Sequence, residues 1–151
     1  MSIKVKGLQE ALKKVKDFGT EAERMISNTT WGVAQEISGD AKQNVNSQLS
    51  NGTEGVRIEQ SINVQPPGLG HLEYTINVNA LPIAAYVEFG TGAFVKVAPE
   101  WREMAWQFKG SKDGYMRPRP YLYPAFEAGS AMYLDLLKKD LKTLETKYGK
   151  M

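Results

Sequence analysis

The stretch Ala84-Ala85-Tyr86-Val87-Glu88-Phe89-Gly90-Thr91-Gly92 sets one carboxylate inside an apolar run and closes that run on two glycines. A carboxylate buried among apolar groups is costly unless it is paired, so a fold that buries this run must bring a partner to Glu88. The glycines let the backbone enter a left-handed turn or approach another segment closely. A second stretch answers the first: Arg117-Pro118-Arg119-Pro120-Tyr121-Leu122-Tyr123-Pro124-Ala125-Phe126-Glu127. Its three prolines stiffen an extended lead and then open a helix. Arg117 and Arg119 are the candidate partners for Glu88, because a guanidinium can hold a carboxylate through two parallel hydrogen bonds. The expectation is a structural clasp. Tyr86, Glu88, Phe89, Gly90 and Gly92 form one side, and Arg117, Arg119, Pro120 and Pro124 form the other. A catalytic Glu88 is the alternative.

The elements around the clasp follow from apolar periodicity. Leu8, Ala11, Leu12 and Val15 after Gly7 have the spacing of a short helix, and Asp17-Phe18-Gly19-Thr20 reads as a break. Thr20 is a candidate N-cap, with Glu21 and Glu23 in the first turn. Ala22, Ile26, Val33, Ile37, Ala41 and Val45 then predict one long helix over residues 20–49. Gly32 and Gly39 weaken it by up to about 1 kcal/mol each, or allow close helix contact. After the turn cluster at 50–55 the period changes to two. Val56, Ile58, Ile62 and Val64, with Gln60 interrupting, then Leu72, Tyr74, Ile76 and Val78, predict a hairpin of two antiparallel strands, joined by the turn Gln65-Pro66-Pro67-Gly68-Leu69-Gly70. Residues 83–89 are too short to classify and fit a further strand or one helical turn. Beyond Pro120, Leu122, Phe126, Tyr133, Leu137, Leu141, Leu144 and Tyr148 predict a closing helix with lysines in its C-terminal half. The order predicts an α+β fold in a single domain over 1–151. It has N-terminal helices, a small antiparallel sheet built on a hairpin, a long aromatic-rich loop, and a C-terminal helix packed on the sheet.

That long loop, residues 94–115, is the candidate partner interface. Phe94, Trp101, Arg102, Trp106, Phe108 and Tyr115 lie in it, and aromatic residues with arginine are enriched where proteins meet. The 109–114 tip, Lys-Gly-Ser-Lys-Asp-Gly, reads as flexible. The same rings beside Arg102 and Lys109 could instead stack nucleobases. Nineteen basic and 17 acidic residues give a net charge of only +2, whereas nucleic-acid-binding domains usually carry a concentrated basic face. The lysines at positions 4, 6, 13, 14 and 16 read as a solvated helix face.

Several chemistries find no support. The chain has no cysteine, which excludes disulfides, thiolate zinc sites and cysteine nucleophiles. The only histidine, His71, begins a strand without metal-type or catalytic spacing around it. Gly90-Thr91-Gly92 lacks the lysine and spacing of a phosphate loop. No cofactor is expected. The first residues lack the apolar centre of a signal peptide, and no apolar run approaches the ~20 residues of a membrane span. The chain therefore reads as made in a reducing cytoplasm, with no membrane partner.

The run Tyr-Val-Glu-Phe-Gly-Thr-Gly at 86–92, followed by Arg-Pro-Tyr-Leu-Tyr-Pro-Ala-Phe-Glu at 119–127, resembles the "gp-ten-like" tail-component family of phage HK-ninety-seven. In that family's pattern a tyrosine leads through Val-Glu-Phe-Gly-Thr to a later Pro-Phe-Leu-Arg-Pro-Ala. Here Tyr121 stands for the usual phenylalanine and Tyr123 for the usual arginine, so Arg117 or Arg119 would have to supply any contact that arginine makes. The resemblance implies a non-enzymatic virion protein of long-tailed phages, at the tail-completion or neck position that joins head to tail. It implies a homo-oligomeric ring, with a tail terminator or tail-tube protein on one side and a head connector or stopper protein on the other. DNA would pass near the lumen. The rival reading from the residues is a nucleic-acid-binding accessory protein using the lysine-rich helices and the aromatic loop.

Overall fold

The computed structural model describes residues 8–49, 52–66, 73–95, 97–108 and 116–149. The fold is α+β. In chain order it comprises α1 (Leu8–Leu49), α2 (Thr53–Ser61), β1 (Ile62–Gln65), β2 (Thr75–Val78), α3 (Ile83–Phe89), α4 (Arg102–Gln107) and α5 (Leu122–Tyr148), with 3-10 turns at Gly92–Phe94 and Pro99–Trp101. Lys4, Lys6, the turn at 67–70, His71, Leu72 and the 109–115 tip with Tyr115 lie outside the described residues.

The expected break at 17–20 does not occur, and α1 runs unbroken for 42 residues. Tertiary contacts override the local signal. Phe18 packs edge-on against Tyr148 with centroids 5.3 Å apart. Glu21 accepts from Lys147 Nζ at 2.6 Å and from the Tyr148 hydroxyl at 2.6 Å. Thr20 is no cap, since its hydroxyl donates back to the Lys16 carbonyl one turn earlier, at 3.1 Å. The partner along this length is α5, which runs antiparallel to α1. Successive contacts tie Asn44 to Tyr121, Thr30 to Tyr133, Thr29 to Asp140 and Glu21 to Lys147.

The close helix contact also falls elsewhere than expected. Gly32 and Gly39 have open space around them, whereas a Cβ on Gly129 of α5 would lie 2.2 Å from Ile37 Cγ1. Gly129 marks a point of close approach between the two long helices.

A second correction concerns Val56 and Ile58, which stand in α2 rather than in a strand. Gly55 and Ile58 are its buried residues while Val56 faces out, a three-residue step that belongs to a helix. The strands are therefore short. Ile62, Asn63, Val64 and Gln65 pair with Val78, Asn77, Ile76 and Thr75 in antiparallel register. Tyr74 precedes β2 and packs on α1, its ring 5.3 Å from Trp31 and its hydroxyl 3.1 Å from that of Ser27.

One core forms where these elements meet. Val33, Ile37, Ala41 and Val45 recur every fourth residue along α1 and pack with Ile58, Ile62, Ala84, Val87, Tyr121 and Ala125. Ile76 and Val78 of the sheet and Leu122, Met132 and Leu136 of α5 close around them, so the closing helix and the sheet share this core. The stretch expected as a long loop is partly ordered into α4. Ala105 of α4 forms a second, smaller core with Ala85 and Phe89, flanked by Val97, Trp101 and Phe108.

Candidate functional site

Residues 83–89 form the two-turn helix α3, whose Ala84, Ala85, Val87, Glu88 and Phe89 are buried. The helix ends at Gly90, which takes φ +74 and donates its N–H to the Tyr86 carbonyl at 2.9 Å. A Cβ on Gly90 would come within 2.8 Å of the Met116 carbonyl and 2.9 Å of Pro118, so this glycine permits both the turn and the approach of the 116–120 segment. Gly92 also has positive φ, at 60.

The approaching segment is held through its backbone. Thr91 N–H donates to the Met116 carbonyl at 2.9 Å, the Thr91 hydroxyl accepts from Met116 N–H at 3.0 Å, and Arg119 N–H donates to the Val87 carbonyl at 2.7 Å. Pro120 adds its carbonyl, which accepts from Gln48 Nε2 of α1 at 2.9 Å.

Glu88 finds its partners here, and they are not the arginines. Its Oε2 accepts from Tyr121 N–H at 2.8 Å and Leu122 N–H at 2.9 Å, and its Oε1 accepts from Tyr123 N–H at 2.9 Å. These are the N-cap and first two residues of α5. A helix leaves its first four N–H groups without internal partners. Here one carboxylate takes three, and the fourth position is Pro124, which has no N–H. Glu88 is thus a cap supplied from 33 residues upstream in sequence. It sits at the positive end of the helix dipole, where an anion is favoured.

Arg117 and Arg119 make no ion pair with Glu88. Arg117 lies with its guanidinium 5.6 Å from the centroid of the Phe94 ring, and Arg119 is exposed. The reason is geometric, since the backbone bonds that seat the segment carry Tyr121–Tyr123 N–H groups onto the carboxylate first.

The electrostatics follow from burial. Glu88 is only 5% exposed, and that burial raises its pKa above the ordinary 4.5 against the lowering effect of the three N–H donors. Burial, with the Glu88 charge, also raises the Tyr121 phenol. Its hydroxyl points to the Ala84 carbonyl at 3.4 Å. On the outer side Tyr123 donates to Glu127 at 2.6 Å, a bond that pushes the phenol up to about 12. With both oxygens engaged by backbone donors, Glu88 is poorly placed to act as a general base. Among the described residues no three His, Cys, Asp or Glu side chains converge as metal ligands.

The aromatic residues assigned to an interface divide into two groups. Trp101 turns inward, with its ring 6.2 Å from Phe89, 5.9 Å from Tyr123 and 6.2 Å from Phe126, and so pins the 97–108 segment to α3 and the start of α5. Phe108 packs on the second core, and Phe94 is half-buried beside Arg117. Trp106 and Arg102 face outward, Trp106 at 64% exposure. Sequence reasoning missed Leu81 and Met104, which are 56% and 51% exposed. They border a groove of about 430 Å³ that also touches β2, α3 and Trp101. Their signal was weak: Leu81 stands in a short connection before Pro82, and Met104 follows the charged pair Arg102-Glu103.

Comparison with protein-family models, curated proteins and solved structures finds no match to the chain.

Proposed function

We propose that this chain is a structural virion protein of the phage head–tail junction, a tail-completion or neck component that acts through protein–protein contacts rather than catalysis. The observation that carries this reading is that the two stretches bearing the family resemblance, 86–92 and 119–127, form one hydrogen-bonded unit centred on Glu88. The residues most recognisable in the sequence hold a surface in place. Leu81, Met104, Trp106 and Phe126 are exposed, large apolar side chains of the kind found at the centre of interfaces. In this reading copies of the chain assemble as a ring between a head connector or stopper and a tail terminator or tail-tube protein.

The nucleic-acid reading gains less. The lysines on the outer halves of α1 and α5 alternate with Asp17, Glu21, Glu23, Asp135, Asp140 and Glu145, which dilutes any basic face. Among the described residues no helix is long and apolar enough to cross a membrane. Removal of the gene product is expected to leave separate filled heads and tails. Normal infectious particles without it would refute the assignment, and salt-sensitive binding to arbitrary DNA would favour the rival.

A further inference from the structure

Across residues 97–108 only Ala105 is buried, yet the segment packs on α3. Its seat is apolar. Ala105 meets Ala85 and Phe89, Val97 and Phe108 flank them, and the Trp101 ring reaches Phe89, Tyr123 and Phe126. Within the segment, Trp101 N–H donates to the Ala98 carbonyl, Arg102 N–H to the Pro99 carbonyl and Phe108 N–H to the Ala105 carbonyl. Among the described residues no backbone hydrogen bond joins it to α3 or α5.

The helix inside this segment, α4, is six residues long. An isolated helix shorter than about 12 residues is marginal in water, so α4 persists only while it is seated. The base of the excursion is fixed by other means. Thr91 and Met116, 25 positions apart, share two hydrogen bonds, and Arg119 N–H ties the segment that follows to Val87. Leaving the seat therefore breaks neither this bridge nor the bonds from Glu88 to the start of α5.

We propose that residues 97–108 form a strap, hinged at the Thr91–Met116 bridge and latched by Trp101, that opens and melts α4 as one unit while α1, α5 and the sheet stay folded. Local opening belongs to segments with few buried apolar contacts and solvent-exposed backbone hydrogen bonds. Opening uncovers Ala85 and Phe89, which are 6% and 4% exposed under the closed strap. It also unroofs a cavity of about 140 Å³ that Val97, Ala98 and Trp101 line together with Glu88, and so lets water reach the carboxylate that caps α5. The strap thereby sets when the buried face of α3 is offered to its surroundings. Opening is a property of the chain alone and is judged apart from the assembly reading above.

Native-state amide hydrogen exchange on the full chain, followed by NMR at rising sub-denaturing urea, tests the strap. The N–H groups of Trp101, Arg102 and Phe108 are expected to share one shallow dependence on urea and to exchange about 100-fold faster than those of 132–144 in α5. Trp101→Ala should speed exchange at 101–108 by about tenfold and leave 132–144 unchanged. Exchange at 101–108 as slow as in α5, urea dependences that differ among the three N–H groups, or a Trp101→Ala that leaves the strap unchanged or speeds both regions alike overturns the proposal. The exchange of the parent protein decides the matter by itself where Trp101→Ala does not fold.

Discussion

Replacing Glu88 tests the central claim that one buried carboxylate caps α5. In Glu88→Gln a single oxygen remains. Placed where Oε2 lies, it retains Tyr121 and Leu122, and the amide nitrogen then faces the N–H of Tyr123. One bond is lost and two donors abut, which costs about 1–3 kcal/mol. Glu88→Ala strands all three donors. The Tyr121 bond is buried and the other two are partly buried, so the loss is about 3–5 kcal/mol once partial hydration is allowed for. In a protein of this size each kcal/mol moves Tm by about 2–4 °C. Glu88→Gln should therefore melt about 2–12 °C below the parent in calorimetry, and Glu88→Ala lower still. Arg117→Ala and Arg119→Ala, whose side chains do not touch the carboxylate, should each stay within about 0.5 kcal/mol. Glu88 variants that melt with the parent, or an Arg119→Ala that matches Glu88→Ala, would refute the reasoning.

Three further outcomes are expected. Because burial raises the Glu88 pKa, the unfolded chain loses this proton first as pH rises. The stability advantage of the parent over Glu88→Gln should therefore be largest at acid pH and shrink as pH climbs from 4.5 through the folded pKa, as read by urea unfolding across that range. Gly129→Ala drives a methyl into Ile37 and should cost about 1–3 kcal/mol despite alanine's better helix propensity. Adding Ile37→Ala, which removes both Cγ1 and Cδ1, should restore part of it in a double-mutant cycle. Gly90→Ala meets both a positive φ and the Met116 carbonyl, and should cost more than about 2 kcal/mol by denaturant unfolding.

The fold class, the closing helix and the pairing of the two clasp segments were legible because each leaves a pattern of letters: a period, a glycine pair, a run of prolines. What was illegible came from interactions that letters do not mark. Glu88 was sought by arginine, the residue with a visible charge, and was taken by backbone N–H groups that every residue but proline carries. Residues 17–20 read as a break because glycine and threonine weaken a helix locally, while the compensating contacts came from Glu21 to Lys147 and Phe18 to Tyr148, far along the chain. Val56 and Ile58 satisfied a two-residue period by chance, and the polar Gln60 was the sign that it failed. Trp101 was assigned to an interface because it lies in a long loop rich in aromatics and next to arginine, yet its ring is a spacer between α3 and α5.

Capping α5 from α3 has one more effect. An N-cap position ordinarily demands a short polar side chain, because that residue must answer its own helix. Tyr121 is released from this demand and fills the core instead, only 2% exposed. No single side chain could do both, since a serine there would satisfy the helix and leave a void, whereas a tyrosine packs and cannot cap. The two duties have been divided between positions 88 and 121. In any relative that gives up the distant carboxylate, the tyrosine is the residue expected to change with it.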